Sequence, residues 1–599
     1  NGRWPASSVM RTAEPGTLLE ALERAARFPE AGLRLLDRRE AAEWLGWSTV
    51  LEESRGVAAG LHSLGIRSGD CVALVYPTER DFFSAFFGTL MAGAIPAPLY
   101  PPVRLGRLEE YHARTSSLLR AVEARVVLAS PRVRRILGRA IADADPQWGC
   151  VVLEELPQVG ASLPAVGSED LALVQFSSGT TVDPKPVALT HRAVMAQVRS
   201  LNAFWPDSPE VRHTGACWLP LYHDMGLIGC VFPALERPSE LTLIPPELFV
   251  ARPSVWLRAI SRYRATVSPA PNFAYGLCVE KVRDEELEGI DLSCWRVALN
   301  GAEPVAPSAL RAFARRFSKW GFEPRALTPV YGLSEASLAV TFSSIDREFQ
   351  SRSFDRRALA ENGVAAPDPA GMELVSVGKP LPGFQISVRD SSGREQGEAR
   401  VGRVWVRGPS LMKEYLNRPD STAEALREGW LDTGDLGFCL DGELYITGRA
   451  KDVLIVRGQN HDPAEIERAP WVLPAVRTGC TAAVSHRPDT GEAEEIWLFV
   501  ERSRSAPHDA DKEIERACKQ EILKATAVAV DRVVVLQPGT LPRTSSGKVR
   551  RAEALRQYLA SELAPPEEVS VSWLAKSWLQ SWWAHFRWRL RRRGGWQSS

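Results

Sequence analysis

Short apolar segments alternate with helical patterns through most of the first 440 residues, and this alternation limits the fold more than any other feature of the chain. Cys71–Tyr76 and Val126–Ala129 are apolar enough to be buried strands, and Phe82–Ala92 between them has the pattern of a helix. Strands and helices that alternate in this way build sheets with largely parallel strands. The sequence therefore predicts an α/β fold for this part, and 599 residues are too many for one ordinary domain.

The later part of the chain has a different pattern. Arg347–Pro369 is polar and lacks a clear period, which indicates an insertion or a long surface loop. Farther on, Gln385–Asp390 and Gly402–Arg407 alternate apolar and polar residues, as the strands of a smaller β-rich unit do. Asp441–Gly442 predicts a hairpin turn, and a compact α+β segment follows from about residue 452 to residue 564.

The charge and cysteine content exclude several classes of protein. Lysine and arginine together number 73, as do aspartate and glutamate, so the whole chain offers no electrostatic case for binding nucleic acid. The nine cysteines include no Cys-x-x-Cys pair, which favours a reducing compartment over a disulfide framework or a zinc site. No uncharged apolar segment reaches the roughly 18 residues of a membrane span, and the first residues do not resemble a signal peptide. These patterns predict a cytoplasmic protein.

A hydroxyl-rich turn follows the apolar segment Leu171–Phe176, which has the pattern of a buried strand. The turn contains Ser177, Ser178, Gly179, Thr180 and Thr181, and Lys185 follows four residues later. Backbone N–H groups and hydroxyls in such a turn can wrap a polyphosphate, and the lysine adds positive charge. The same composition also forms ordinary turns, so this segment alone leaves both interpretations open.

Six further motifs combine polar residues with glycine or aromatic residues. They are Trp218–Gly226, Asn300–Pro304, Tyr331–Glu335, Trp430–Asp435, Gly448–Asp452 and Leu541–Lys548. Each has an ordinary structural explanation when taken singly. A Tyr-Gly pair usually packs, Asp-Thr-Gly-Asp often forms a turn, and a lysine after Ser-Gly is usually exposed to solvent.

In this order and spacing, the seven motifs resemble those of the adenylate-forming superfamily, which includes acyl-CoA synthetases, peptide-synthetase adenylation domains and luciferases. The resemblance extends from about residue 15 to residue 560. Within the superfamily the chain most resembles a fatty acyl-AMP ligase. The segments that carry this closer resemblance are residues 219–229, 269–275, 300–304 and 457–461, together with an insertion between Ser343 and Val377 that such ligases have and CoA synthetases generally lack.

The resemblance implies a particular domain organisation. The α/β fold would consist of a large N-terminal domain, made of two α/β subdomains and a β-rich subdomain, and a small α+β C-terminal domain joined to it by a hinge. The expected boundaries are residues 1–446 for the large domain, with the insertion at about 344–376. The hinge would be residues 447–451, with Lys451 as the hinge residue, and the small domain residues 452–564.

The resemblance also implies an activity with ATP and Mg²⁺ as cofactors. The carboxylate of a fatty acid would attack the α-phosphate of ATP, pyrophosphate would leave, and the acyl group would then pass from the acyl-adenylate to the phosphopantetheine thiol of an acyl carrier protein. Both reactants are anions, so catalysis consists mainly of positioning and charge neutralisation. Two alternatives remain open: an acyl-CoA synthetase with the same first step, and a protein that binds acyl-adenylate without turnover.

The family motifs assign roles to individual residues. The expected catalytic residues are Lys548, which would contact the α-phosphate, Glu335, which would bind Mg²⁺, and His223, which would position the acid. Tyr331 would stack on adenine and Asp435 would accept the ribose hydroxyls. The full set of expected nucleotide-binding residues is Ser177, Ser178, Gly179, Thr180, Thr181, Lys185, Asn300, Gly301, Ala302, Glu303, Tyr331, Gly332, Ser334, Asp435 and Arg449. Small and apolar residues of Pro269–Gly276 would line an acyl tunnel.

Two residues of the phosphate loop depart from the family pattern. Val182 and Pro186 stand where relatives have glycine. A β-branched residue is strained at positive φ, and proline lacks an N–H donor. The loop is therefore either a tolerated variant or one that binds phosphate weakly.

The C-terminal tail, residues 565–599, has an unusual composition. It begins with a Pro-Pro linker, and Ser570–Arg593 then contains five tryptophans and six basic residues but no acid. Such a segment is typical of a helix that lies on an anionic membrane, or of a helix that docks on an acidic carrier protein. It is also compatible with a helix packed on the body of the protein, and the sequence leaves the three open.

Overall fold

The computed structural model describes residues 14–102, 107–157, 162–177, 184–208, 212–456, 459–487, 494–507, 509–526, 528–544 and 548–566. Its helices are, in chain order, α1 (Leu18–Ala25), α2 (Trp47–Ser63), α3 (Arg80–Met91), α4 (Leu108–Ala121), α5 (Pro131–Ala144), α6 (His191–Phe204), α7 (Asp224–Gly226), α8 (Phe232–Glu236), α9 (Pro246–Ala251), α10 (Ser254–Arg262), α11 (Asn272–Lys281), α12 (Pro307–Phe317), α13 (Arg356–Asn362), α14 (Pro419–Ala425), α15 (Pro463–Arg468), α16 (Asp511–Thr526) and α17 (Arg551–Leu559).

The strands are, in the same order, β1 (Gly32–Leu36), β2 (Ala42–Gly46), β3 (Cys71–Val75), β4 (Ile95–Leu99), β5 (Val126–Ala129), β6 (Cys150–Val151), β7 (Leu171–Phe176), β8 (Pro186–Thr190), β9 (Gly215–Cys217), β10 (Glu240–Leu243), β11 (Val267–Ala270), β12 (Val297–Asn300), β13 (Leu327–Gly332), β14 (Ala339–Phe342), β15 (Ser351–Phe354), β16 (Met372–Val375), β17 (Lys379–Pro380), β18 (Gln385–Arg389), β19 (Gly402–Arg407), β20 (Glu414–Tyr415), β21 (Leu426–Arg427), β22 (Trp430–Leu440), β23 (Glu443–Arg449), β24 (Leu454–Val456), β25 (Gln459–His461), β26 (Val476–His486), β27 (Glu495–Arg502) and β28 (Arg532–Leu536).

Two largely parallel sheets form the framework of the large N-terminal domain. The first has nine strands in the order β17-β14-β13-β12-β11-β9-β10-β1-β2, and the second has four in the order β4-β3-β5-β6. Neighbouring strands from β13 to β1 are parallel, as are all neighbours in the second sheet. The predicted α/β fold is thus confirmed, and the predicted strand at Val126–Ala129 is β5 to the residue.

The ends of three parallel strands meet at one edge of the nine-stranded sheet. Ala270 at the end of β11 pairs with Asn300 at the end of β12, and Asn300 pairs with Pro329 of β13. In open α/β sheets, ligands bind outside the carboxyl ends of the strands. The segments that follow these strands therefore lie where a substrate site is expected.

A β-rich subdomain follows the nine-stranded sheet. Strands β18, β19, β22 and β21 form an antiparallel sheet, and β23 pairs with β22 through the predicted hairpin. Both residues of its turn have positive φ, 54° for Asp441 and 73° for Gly442, as a tight hairpin of this kind requires. Because β22 already begins at Trp430, the motif Trp430–Asp435 is part of a strand and not a separate turn.

The polar segment after β14 is a folded unit rather than a long loop. Strands β15 and β16 pair antiparallel, with Ser351 opposite Val375, and α13 lies between them in the chain. Phe354 packs against Phe438 and Tyr445 of the β22–β23 hairpin, with ring centroids 5.1 and 5.8 Å apart. Of the two interpretations of this segment, the long surface loop was wrong. The local sequence could not show this, because the apolar partners of this unit lie about 90 residues farther along the chain.

The C-terminal domain is a small α+β unit. Its sheet has the order β26-β27-β28, β24 pairs with β25, and α15, α16 and α17 complete the fold. Its core joins residues of the sheet, such as Leu498 and Val500, to Ile514, Cys518 and Ile522 of α16. Within the ranges given above, no helix is long and apolar enough to cross a membrane. The tryptophan-rich tail lies outside the described residues.

Candidate active site

A cavity of about 2580 Å³ lies between the edge of the nine-stranded sheet, the β-rich subdomain and the C-terminal domain. Its wall contains most of the expected site residues that the structure describes. These are Ser177, Lys185, His223, Ala302, Glu303, Tyr331, Gly332, Ser334, Glu335, Asp435, Arg449, Lys451 and Lys548. The structure therefore collects into one site residues that are up to several hundred positions apart.

Asp435 is the centre of a hydrogen-bonded group in this cavity. The Tyr331 hydroxyl donates to its Oδ2 at 2.7 Å, and Nε of Arg449 donates to its Oδ1 at 3.0 Å. The pairing of β22 with β23 places Asp435 directly opposite Arg449. Since each carboxylate oxygen can accept two hydrogen bonds, Asp435 keeps acceptor capacity for two ribose hydroxyls.

The structure describes only the residues at the two ends of the expected phosphate loop. The Ser177 N–H donates to the Lys185 carbonyl at 2.9 Å, and the Lys185 N–H donates to the Ser177 hydroxyl at 3.1 Å. Pro186 is the first residue of β8, a position that proline tolerates, and its carbonyl accepts from the Leu416 N–H at 2.8 Å. The remaining loop residues, Ser178, Gly179, Thr180, Thr181 and Val182, lie outside the described part of the chain.

Glu335 is a half-buried carboxylate in the cavity wall. Its Oε1 accepts a hydrogen bond from the Tyr415 hydroxyl at 2.8 Å, and burial raises the pKa of Glu335. Protein sites often hold Mg²⁺ with only one or two carboxylates, because substrate phosphates and water supply the other ligands. Glu335 fits this role, since a bound cation would offset the cost of burying its charge.

His223 contacts an acidic neighbour that links it to a second motif. Its Nδ1 lies 2.6 Å from Oδ1 of Asp224, and the Ser334 hydroxyl donates to Oδ2 of Asp224 at 2.5 Å. Burial opposes ionisation of Asp224, but His223 and the hydrogen bonds from Ser334 and the Met225 N–H outweigh it and lower the pKa of Asp224 to about 2. Asp224 thus fixes the orientation of His223 toward the cavity.

The segment after β12 is attached to α11 by two side chains. Asn300 is fully buried, and its amide donates to Oδ1 of Asn272 at 3.2 Å, so its side chain holds the loop and does not line the cavity. Glu303 accepts from the N–H of Phe273, in the first turn of α11, at 2.5 Å. Ala302 between them has a φ of 69°, in the left-handed region. A nucleotide contact by Asn300 stays a prediction.

Two glycines of the expected site are required by close packing. A Cβ on Gly301 would lie 2.7 Å from the Val330 side chain, and one on Gly332 would lie 1.8 Å from the Leu338 carbonyl oxygen. Neither position has room for a side chain.

Lys548 brings the C-terminal domain into the site. Its side chain lines the cavity, and burial lowers its pKa, as does the nearby Arg449, against the opposite effect of Glu303, Asp224 and Asp435. The lysine is thus surrounded by residues of the large domain. This is the arrangement expected of a group that neutralises charge on a substrate bound there.

The C-terminal domain also contacts the large domain beside α4. Arg107 donates to the carbonyls of Gly539 and Thr540 at 3.0 and 2.8 Å, and Arg550 faces Glu110 at 3.7 Å. We call these five residues the α4 clasp. It holds the C-terminal domain in the position that inserts Lys548.

The expected hinge follows the last strand of the β-rich subdomain. Lys451 is exposed in a turn, where the N–H groups of Asp452 and Val453 donate to the Arg449 carbonyl at 3.0 and 3.2 Å. A turn between two compact units suits a change of domain orientation, and the assignment of Lys451 as the hinge stays a prediction.

Two site residues were missed by the sequence analysis. Asp224 directly follows His223, and this adjacency was a usable signal. Tyr415 lies in no recognised motif and is 80 residues from Glu335, so nothing in the local sequence pointed to their hydrogen bond.

Comparisons with known proteins agree with this geometry. The family model described as AMP-binding enzyme matches residues 22–416. The chain is 35% identical to a Caulobacter vibrioides protein that carries the provisional name acyl-CoA synthetase, over 92% of this chain and 97% of that protein. It is 32% identical to the medium-chain-fatty-acid–[acyl-carrier-protein] ligase JamA of Moorena producens, with the same coverage of 92% and 97%.

The fold is also similar to that of a solved structure. One from a study of fatty acyl-adenylate ligases from E. coli and L. pneumophila is 34% identical, superposes with a TM-score of 0.84, and is matched over 91% of this chain and 98% of that one.

Proposed function

Since this chain belongs to the family of AMP-binding enzymes, we propose that it uses ATP to convert a fatty acid into an acyl-adenylate and then transfers the acyl group to the phosphopantetheine thiol of an acyl carrier protein. The observation that carries the proposal is the meeting of Lys548, Glu335 and Asp435 in one cavity. The relatives named as acyl-carrier-protein ligases support the second step.

The charged residues of the cavity have distinct tasks in this scheme. Asp435 and Arg449 hold the ribose, and Tyr331 presents its ring to the adenine. Lys185 would bind the β- and γ-phosphates, and Glu335 would hold Mg²⁺, which would neutralise phosphate charge. Lys548 faces the α-phosphate, where it stabilises the charge that develops as the carboxylate attacks.

The acyl chain of the substrate would extend along α11. Pro269, Pro271 and Leu277 give the cavity wall there an apolar portion. Gly276 also belongs to this wall, and a Cβ placed on it meets no atom within 4 Å. A side chain at this position would therefore occupy the space that a fatty chain needs.

Replacing Gly276 with phenylalanine is expected to shift the preferred substrate to shorter acids. A buried CH₂ contributes about 0.8 kcal/mol, so a ring that displaces about three of them lowers kcat/KM for long acids by roughly 50-fold and leaves short acids unaffected. The measurement is kcat/KM across a homologous series of saturated acids. Gly276→Ala is the control, because a methyl group fits the open space. An equal loss at every chain length would contradict this placement of the acyl chain.

The insertion is attached to its surroundings by ion pairs as well as by the aromatic cluster around Phe354. The pairs are Arg311–Glu373, Arg347–Glu443, Arg352–Asp441 and Arg356–Glu465. The last of these joins α13 of the insertion to α15 of the C-terminal domain. The insertion is thus placed to restrict the orientations of that domain, which supports a carrier-bound thiol over free CoA as the acceptor.

The proposed function predicts ATP–pyrophosphate exchange that requires a fatty acid, together with acyl transfer to a phosphopantetheinylated carrier protein in preference to CoA. The deciding variant replaces the segment between Ser343 and Val377 with a short linker. The ends can be joined, because the Thr341 hydroxyl donates to the Val377 carbonyl at 2.7 Å. We expect the rate of CoA thioester formation by this variant to rise by at least about tenfold. An increase of this size corresponds to a free energy within the range of about 1–3 kcal/mol that is typical of coupling between two sites.

The controls separate the alternatives. Arg356→Ala breaks the contact with the C-terminal domain and leaves the aromatic cluster in place, so it should show part of the same gain. Wild-type activity with CoA equal to that with the carrier would instead favour an acyl-CoA synthetase, the function in the name of the Caulobacter relative. Absence of both exchange and acyl-adenylate would leave only a binding protein without turnover.

The remaining expectations complete the proposal. We assign residues 1–446 to the large domain, 447–451 to the hinge and 452–564 to the small domain, and we place the protein in the cytoplasm, because all nine cysteines are unpaired thiols. Contact of the 570–593 segment with a membrane or a partner is part of the proposal as well. Liposome flotation of the intact and the tail-deleted protein tests the membrane contact.

A further inference from the structure

Tyr415 connects two parts of the site that no motif relates to each other. It is the second residue of β20, which pairs antiparallel with β8 so that Tyr415 lies opposite Val187. Strand β8 begins directly after the phosphate loop. The side chain is 5% exposed and belongs to the cavity wall.

The two ends of the Tyr415 side chain contact two different site residues. Its hydroxyl donates to Oε1 of Glu335 at 2.8 Å. The face of its ring lies 4.5 Å from Nζ of Lys185, which is a cation–π contact. One rigid side chain therefore sets the distance between a carboxylate and an ammonium group.

The backbone around Tyr415 is fixed on both sides. The Met412 N–H donates to the Glu335 carbonyl at 2.7 Å, and the Leu416 N–H donates to the Pro186 carbonyl at 2.8 Å. The Tyr415 N–H itself donates to the Thr422 hydroxyl at 2.9 Å. The ring is thus held on a rigid support, as a residue that orients others has to be.

Each contact has a physical consequence for the group it holds. A hydroxyl that donates to one carboxylate oxygen selects one orientation of Glu335, and the carboxylate keeps lone pairs that can bind a cation. The ring face attracts the Lys185 ammonium without neutralising its charge, so the lysine keeps its attraction for phosphate.

We propose that Tyr415 is a positioning residue that couples the carboxylate expected to hold Mg²⁺ to the lysine expected to hold the polyphosphate. This inference rests on the proposed function, since both roles belong to it. The hydroxyl determines the Mg²⁺ concentration that the reaction requires, and the ring determines the affinity of the site for the phosphates of ATP.

Two variants separate the contributions of the hydroxyl and the ring. Tyr415→Phe keeps the ring and loses the hydrogen bond, so we expect the Mg²⁺ concentration for half-maximal exchange to rise by about 10-fold or more, with KM for ATP at saturating Mg²⁺ changed less than about twofold. Tyr415→Leu loses both, and we expect both constants to rise. Tyr445→Phe, a buried tyrosine outside the cavity, is the control and should match the wild type.

A second measurement does not depend on turnover. Mn²⁺ bound to the complex of the protein with a non-hydrolysable ATP analogue is followed by electron paramagnetic resonance, and Tyr415→Phe should weaken this binding by a factor similar to its effect on the Mg²⁺ requirement. Circular dichroism and thermal melting establish that the variants are folded. The inference is overturned if Tyr415→Phe binds Mn²⁺ as tightly as the wild type, or if it lowers kcat without changing the metal requirement. If the wild type shows no exchange with any fatty acid, the proposed function fails, but the Mn²⁺ measurement still decides the role of Tyr415.

Discussion

Replacing Lys548 with alanine is expected to reduce acyl-adenylate formation by about 10²–10³-fold, the loss found when one preorganised charge-stabilising donor is removed from an active site. Lys548 is the residue of the C-terminal domain that lies among Glu303, Asp224 and Asp435 of the large domain. Charge on the α-phosphate would change as the carboxylate attacks, and an ammonium group held in this cavity would stabilise that charge more strongly than water can. The effect should therefore fall on kcat rather than on KM for ATP.

The measurement compares the two half-reactions. Exchange between ATP and pyrophosphate should collapse in Lys548→Ala, whereas transfer from chemically prepared acyl-adenylate to the carrier should keep most of its rate. Lys524→Ala is the control, since Lys524 belongs to the same domain and its side chain is 76% exposed. Equal losses in both half-reactions would show that the substitution damages the domain and not the chemistry.

Burial also predicts the pH dependence of this lysine. Because burial lowers the pKa of Lys548 below its ordinary value of 10.5, the ammonium form is lost at a lower pH than in an exposed lysine. Adenylation by the wild type should accordingly decline on the alkaline side, as the pH rises through this lowered pKa. In Lys548→Arg the guanidinium stays charged, so the residual activity should lack that decline.

Asp435→Ala is the second substitution with a large expected effect, a reduction of kcat/KM for ATP by about 10²–10⁴-fold. A hydrogen bond to a charged group contributes about 1.5–3 kcal/mol, and this carboxylate is expected to make two with the ribose. The substitution also removes the acceptor of the Tyr331 hydroxyl and the partner of Arg449. Because these are binding interactions, KM for ATP should carry most of the loss.

A conservative variant and a control accompany this measurement. Asp435→Asn keeps one carbonyl oxygen as an acceptor and should retain intermediate activity. Asp441→Asn removes a charge at the exposed hairpin tip of the same subdomain, keeps a residue type that tolerates the φ of 54° there, and should leave the kinetics with ATP unchanged. With 2′,3′-dideoxy-ATP in place of ATP, the difference between the wild type and Asp435→Ala should shrink to the part that comes from the lost contacts with Tyr331 and Arg449. An undiminished difference with that analogue would contradict the assignment of Asp435 to the ribose.

Local patterns were sufficient where a strand is buried on both sides. Leu171–Phe176 is a strand to the residue, because an apolar run bounded by polar turns has no other favourable environment. The Asp441–Gly442 hairpin was predicted for a similar reason, since positive φ at both positions is rarely available to other residues. The structure confirms both.

The insertion could not be predicted from its own residues. Among the residues of β15, only Phe354 is buried, and the surface that buries it comes from Phe438 and Tyr445. A strand that buries one side chain in four has no alternation to detect. Its structure depends on a partner that the local sequence does not contain.

The candidate site also combines residues that local motifs identify with contacts that only the fold creates. The motifs identified Tyr331 and Asp435 separately, each for a contact with the nucleotide. Their hydrogen bond to each other joins residues 104 positions apart, and it follows only from the fold, which brings Tyr331 of β13 and Asp435 of β22 together from two different sheets. Tyr415 was missed for the same reason, since its role arises from the pairing of β20 with β8 and not from its neighbours in the chain.

The α4 clasp has a consequence for the order of events in a turnover. Arg107 holds the carbonyls of Gly539 and Thr540 on the side of the cavity where the C-terminal domain covers it. Rotation of the C-terminal domain about the predicted hinge requires those bonds to open. A contact made far from the reacting atoms would then set how long Lys548 stays in the cavity during each turnover.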